Sequence, residues 1–241
     1  MPVALITGGA SFIARGIAKQ LIEDGWRIVL ADIDKEGMEK VAADLGGANA
    51  VGIEELDVTD LDAVKAAVAR IVEAYGSIDG LVTAHGGLRG LGYDVKPFTE
   101  ITPDEWKRTI NVNLVGVMNC CQAALPSMKK AGKGSIINIA AGLTGAAEKS
   151  IYSAAKAGCN RFFQAIAQEV GPYGVRVNSV APGAVDARWR NKQTRPPSNV
   201  SPLGRETSPD DVGNAVSFLM SDDAEHITGT IMDTSGGTAL H

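Results

Sequence analysis

Short apolar runs rich in β-branched residues alternate with amphipathic stretches from one end of this chain to the other. Val3–Thr7, Arg27–Asp32, Ala50–Asp57, Asp79–Ala84, Gly134–Ala140, Gly174–Ala181 and Thr228–Asp233 read as strands. Several are apolar nearly throughout, as strands covered on both faces must be. Between them Ile13, Ile17 and Leu21 recur every four residues. Leu61, Val64, Val68, Val72 and Tyr75 make a second helical stripe; Trp106, Ile110, Leu114, Val117 and Cys121 make a third. Thr102-Pro103-Asp104-Glu105 and Ser208-Pro209-Asp210-Asp211 mark two helix starts, each with a cap, a proline at the first helical position and an acid at the third. This alternation predicts the α/β class, with a doubly wound parallel sheet of about seven strands.

At 241 residues the chain reads as a single domain spanning residues 1–241, with no internal repeat and no low-complexity linker. The one long irregular stretch, residues 187–207, contains Pro196-Pro197 and Pro202 and is expected to be a substrate lid within that domain. A net charge of -5 supplies no basic field for nucleic acid. The charge-free stretch from Thr109 to Met128 contains Asn111, Asn113, Asn119, Gln122 and Pro126, so a lipid-facing helix is a poor reading. The N-terminus shows no secretory signal. Cys120, Cys121 and Cys159 fit neither zinc spacing nor an even disulfide set. A cytoplasmic protein with reduced core cysteines is expected.

Two constellations carry chemistry. The first strand runs into Thr7-Gly8-Gly9-Ala10-Ser11-Phe12-Ile13 and then a helix. Such a turn presents backbone N–H groups and the positive helix end to a pyrophosphate. Asp32 ends the second strand, 24 positions beyond Gly8, where an acid accepts bonds from adenosine ribose hydroxyls. No Arg or Lys stands at position 11 or directly after Asp32, which favours NAD over NADP. The second constellation is Tyr152-Ser153-Ala154-Ala155-Lys156. At i and i+4 on a helix, phenol and ammonium point into one site, and the cation is expected to lower the tyrosine pKa for acid/base work.

Thr7-Gly8, Asp32, Asp57-Val58, Asn111-Val112-Asn113-Leu114, Tyr152-x-x-x-Lys156, Arg176-Val177-Asn178, Pro182-Gly183 and the tail Gly229…Gly236-Gly237 occur together and in order. In this the sequence resembles the short-chain dehydrogenase/reductase family over nearly its whole length. The resemblance implies a Rossmann-type fold, a homotetramer and a small-molecule substrate. It implies Tyr152 as proton donor or acceptor at the substrate oxygen. Lys156 would hold the nicotinamide ribose and tune Tyr152, and Asn113 would carry the water that links Lys156 to solvent. Gly8, Ser11, Phe12 and Ile13 would line the pyrophosphate turn, Asp57 and Val58 the adenine, Ala84 and Gly86 the cofactor's inner side, and Val185 the carboxamide.

The departures are specific. Phe12 and Ala14 stand where the usual turn has glycine, a pattern reminiscent of the enoyl reductases, a branch that spaces Tyr and Lys more widely than Tyr152 and Lys156. Thr83-Ala84-His85-Gly86 replaces Asn-Asn-Ala-Gly, and Ala187 replaces a threonine. The family's second hydroxyl donor, a serine just after the fifth strand, is missing: counting back thirteen from Tyr152 reaches Ile139, and the local pattern puts Ala141 there. Thr144, Ser150 and His85 are candidate replacements, although a structural role is the preferred reading of His85. Arg188, Trp189, Arg190, Lys192, Arg195 and Arg205 face no acid between residues 187 and 205, so Arg188 and Arg190 are candidate contacts for an anionic substrate. A solvated basic loop is the equal alternative. Two functions follow. One is an NAD-dependent oxidoreductase moving hydride between nicotinamide and a secondary alcohol or ketone, with a hydroxy acid as one candidate. The other is a catalytically weak NAD-binding subunit that supports a partner dehydrogenase.

Overall fold

The apolar runs form β1 (Val3–Thr7), β2 (Arg27–Asp32), β3 (Val51–Glu55), β4 (Gly80–Thr83), β5 (Gly134–Ile139), β6 (Val175–Pro182) and β7 (Ile231–Thr234). In the computed structural model, which describes residues 1–47, 51–87, 96–141, 149–185 and 201–238, they pair in parallel in the order β3-β2-β1-β4-β5-β6-β7. The helices are α1 (Phe12–Glu23), α2 (Lys35–Asp44), α3 (Leu61–Tyr75), α4 (Pro103–Ile110), α5 (Gly116–Ala131), α6 (Ser150–Val170) and α7 (Pro209–Met220). Parallel neighbours cannot be joined by a hairpin, so the chain must cross a face of the sheet between them. Strand residues alternate accordingly. Leu5, Leu81, Ile136 and Val177 pack with α3, α5 and α6, whereas Ile6, Val82, Ile137 and Val180 pack with α1, α2 and α7. Strand order reverses between β1 and β4, which opens a crevice at their carboxyl ends, as in other Rossmann-type sheets.

Glycine sets one close approach that shapes this crevice's support. A Cβ at Gly16 would lie 2.5 Å from the Pro209 carbonyl oxygen, and one at Gly213 would lie 2.5 Å from that of Gly16. Helices α1 and α7 therefore cross backbone against backbone. Both capping boxes form, on Thr102 with Glu105 and on Ser208 with Asp211. No helix among the described residues is long and apolar enough to cross a membrane.

Several expected boundaries and faces shift. Strand β3 ends at Glu55: the Leu56 N–H still reaches the Asp32 carbonyl at 2.9 Å, and then the Asp57 carboxylate accepts the Thr59 N–H at 2.8 Å and turns the chain. Strand β7 starts at Ile231 rather than Thr228: before it the Gly229 N–H still reaches the Val177 carbonyl at 2.8 Å, but side chains interrupt the ladder. Thr228 Oγ1 accepts the Val177 N–H at 3.0 Å, and Asn178 Oδ1 accepts that of Thr230 at 3.1 Å. Tyr75 is exposed beneath the Arg27 guanidinium, and the buried face of α3 is Val64, Ala67, Val68 and Ile71. Trp106 is also exposed. A π-turn, Asn111–Val115, separates α4 from α5 and inserts one extra residue, so Trp106 does not share a face with Val117 and Cys121.

Candidate active site

The turn after β1 is built for a close approach. Gly8 has φ of +70°, and a Cβ there would sit 2.7 Å from the carbonyl oxygen of Ala84 and the backbone of His85. Ser11 caps α1, its hydroxyl accepting the Ala14 N–H at 3.1 Å. Phe12 is the first residue of α1 and Ile13 the next, both half-buried. Phe12 thus adopts ordinary helical backbone and needs no glycine. Ala14 fills the third glycine position fully buried.

Asp32 stands at the end of β2 beside this turn. Its carboxylate accepts the Ala10 N–H at 3.2 Å on one oxygen and the Asp34 N–H at 3.0 Å on the other. A carboxylate has about four acceptor sites, so capacity for two ribose hydroxyls remains. Asp57 is exposed and Val58 buried, and Asn119 Nδ2 holds the Val58 carbonyl at 2.9 Å. Ile33, which the sequence reading passed over, is 71% exposed next to Asp32. An apolar side chain left bare at that edge suits an adenine face, and its signal was simply its place after the acid.

Across the crevice, Tyr152 and Lys156 lie one turn apart on α6, with the ammonium 5.9 Å from the phenol ring centroid. Lys156 is buried and its Nζ donates to the Ile139 carbonyl at 2.9 Å. Asn113 sits on the π-turn; its Oδ1 accepts the Gly87 N–H at 2.8 Å and its Nδ2 donates to the Thr109 carbonyl at 3.0 Å. Gly86, at φ +121°, leaves the space between them: a Cβ there would meet Asn113 Oδ1 at 2.4 Å and Lys156 Nζ at 3.5 Å. The structure therefore brings Tyr152, Lys156, Asn113 and Gly86 together. Ala84 continues the β4 exit, with its N–H on the Thr7 carbonyl at 3.2 Å. Val185 pairs with Thr207 just beyond β6.

The tyrosine departs from expectation. Burial pushes the Tyr152 phenol up to about 12, and the neighbouring Cys159 adds to this. Burial also lowers the Lys156 pKa. Desolvation thus sets the direction at the phenol.

His85 is buried, with its Nδ1 2.6 Å from Thr7 Oγ1, and its Nε2 has no hydrogen-bond partner among the described residues. Burial, reinforced by the Lys156 charge and opposed by the Val112 carbonyl, drives the imidazole down to about 3. A neutral, enclosed ring fits the structural role preferred for His85. Ser150 begins α6 exposed, and Ala140 and Ala141 carry no hydroxyl. Thr144, Arg188 and Arg190 lie outside the described residues, as does most of the expected lid. Arg205 is not free for a substrate, since its Nη2 reaches Asp211 Oδ1 at 2.7 Å. The three cysteines are free and buried.

Comparison with known proteins agrees with this geometry. The family model described as enoyl-(acyl carrier protein) reductase matches residues 8–239. The chain is 32% identical over 245 residues to a 3-oxoacyl-[acyl-carrier-protein] reductase of Thermotoga maritima, covering 99% of this chain and 98% of that protein. It is 37% identical to a trans-4-hydroxycyclohexanecarboxylate dehydrogenase of Sinomonas cyclohexanicum, covering 98% and 92%. The crystal structure of a 3-ketoacyl-(acyl-carrier-protein) reductase from Brucella melitensis complexed with NADH superposes with a TM-score of 0.87 at 29% identity, over 99% and 98% of the two chains. The chain therefore belongs to the short-chain dehydrogenase/reductase family and is an oxidoreductase acting on CH–OH groups.

Proposed function

We propose that this chain transfers hydride between NAD and a secondary alcohol or its ketone, with Tyr152 carrying the proton. The observation that carries this reading is the meeting of Tyr152, Lys156 and Asn113 around Gly86, at the carboxyl edge of the sheet where the Asp32 crevice opens. The residues fit the cofactor: Gly8, at φ +70°, turns β1 tightly into the start of α1, and Asp32 keeps acceptor capacity beside that turn. Gly8, Ser11, Phe12 and Ile13 would hold the pyrophosphate, Asp57 and Val58 the adenine, Ala84, Gly86 and Val185 the nicotinamide side. When bound, the nicotinamide supplies the hydride donor or acceptor and, oxidised, a positive charge. Tyr152 holds its proton at Oη and gives it to the ketone oxygen in reduction. Lys156, fixed by the Ile139 carbonyl, orients the ribose and favours the phenolate that oxidation needs.

Asp32 supports NAD over NADP, because its carboxylate would repel a 2′-phosphate. A hydroxy acid is the proposed substrate class. It is supported by Arg188, Arg190, Lys192 and Arg195, with no acid among them in the sequence, and by a Sinomonas relative named for a hydroxycarboxylate. Family resemblance supports a homotetramer, and three free cysteines support the cytoplasm. Ala141 favours the second reading, a weak NAD-binding subunit of another dehydrogenase. A screen of hydroxy acids and neutral secondary alcohols with each nicotinamide cofactor separates the two. Tyr152→Phe should abolish turnover and leave NAD affinity within about two-fold, since only the proton-carrying hydroxyl is removed. Retention of most activity would overturn the acid/base role.

A further inference from the structure

Helix α6 carries Tyr152, Lys156 and Cys159 at i, i+4 and i+7, so the three project from one face. Cys159 is fully buried, and its thiol donates to the main-chain carbonyl of Asn113 at 3.0 Å. That carbonyl lies on the π-turn, where the Gly116 N–H reaches back five residues to the Asn111 carbonyl. The Asn113 side chain is already engaged at both ends, by Gly87 and by Thr109.

We infer that Cys159 is a positioning residue for the proton transfer proposed above, on which this inference rests. Its S–H···O=C bond ties the helix bearing Tyr152 and Lys156 to the turn bearing Asn113. It holds the Asn113 backbone against the helix face that carries Lys156. Cysteine suits the place because it is apolar enough for the interface yet keeps a donor. Serine would keep the donor; valine would keep the bulk and lose it.

Those two substitutions make the test. Cys159→Val should lower kcat about five- to ten-fold, the loss expected for one hydrogen bond, with the KM for NAD unchanged and a larger solvent deuterium isotope effect on kcat. Cys159→Ser should recover most of the rate and the original isotope effect. If valine retains the rate while serine loses it, or both lose it equally, the side chain only fills space and the inference is wrong. Parent turnover that Tyr152→Phe removes shows first that the acid/base reading stands. Should the parent show no such turnover, that reading fails by itself, and amide exchange across residues 111–117 then decides the tether. Exchange faster in Cys159→Val than in the parent and Cys159→Ser supports the tether; equal exchange overturns it.

Discussion

Thr7 Oγ1 and His85 Nδ1 meet at 2.6 Å, which joins the end of β1 to the exit of β4 directly beneath the Gly8 turn. The ring fits because Gly116 on α5 has no side chain: a Cβ there would come 3.1 Å from His85 Nε2. The imidazole pKa is depressed from 6.5 to about 3 by burial first and by Lys156 second. In that window the unfolded chain binds a proton that the folded chain excludes. This contribution to stability is whole above about pH 6.5 and is lost as pH falls towards 3. Each pH unit in the window removes about 1.4 kcal/mol. Denaturant unfolding from pH 7 to 4.5 should show this slope, and His85→Ala should flatten it even if the cavity lowers stability at pH 7. An unchanged slope in the variant would place the acid sensitivity elsewhere.

Asp32 accepts backbone N–H bonds on both oxygens, so its charge is fixed in position beside the turn. NAD should bind more tightly than NADP by at least ten-fold in calorimetric titration. Asp32→Ser should narrow the gap mainly by weakening NAD, because no Arg or Lys directly follows to hold a 2′-phosphate. Equal or tighter NADP binding by the parent would reject the preference.

Much of this was legible in the sequence, for physical reasons that also mark its limits. Buried parallel strands must be apolar on both faces, so the central strands were visible as runs, whereas the half-buried edge strands β3 and β7 came out with shifted ends; proline with a cap marked the starts of α4 and α7. Tyr152 and Lys156 share a helix face by spacing alone. What spacing could not give was the π-turn, since an inserted residue leaves no compositional trace; it displaced Trp106 and set the Asn113 carbonyl before Cys159. Nor could it rank burial against charge. The expected fall in the tyrosine pKa became a rise because desolvation is a property of the packed site. Arg205 looked unpaired because its partner Asp211 lies just past the stretch in which acids were counted.

With Tyr152 raised to about 12, the phenol is the resting form across the neutral range. Ketone reduction, which needs the proton present, should hold its rate from neutral to mildly alkaline pH. Alcohol oxidation needs the phenolate and should climb with pH over the same interval. Initial rates in both directions on one substrate pair, from pH 6 to 10, should therefore diverge. Parallel profiles would mean that a group other than Tyr152 controls the proton.

The reacting oxygen calls for a second donor. One tyrosine hydroxyl leaves part of the charge developing on that oxygen unmatched, and a missing donor of this kind typically costs about 10²–10³ in rate. Ala140 and Ala141 follow β5 with no hydroxyl, Ser150 is exposed at the head of α6, and His85 is enclosed. Thr144, three residues beyond Ala141 in the sequence, is the proposed replacement. Thr144→Val should then reduce kcat by about 10²-fold with little change in NAD affinity or Tm. Restoring a donor at the family's own position tests the same idea from the opposite side. Ala141→Ser alone should change little, because the acceptor is already served, whereas Ala141→Ser combined with Thr144→Val should recover at least ten-fold of the lost rate. A strong gain from Ala141→Ser in the parent background would mean that Tyr152 acts alone in the natural chain. A silent Thr144→Val with a silent Ala141→Ser would point to a donor carried by the substrate itself.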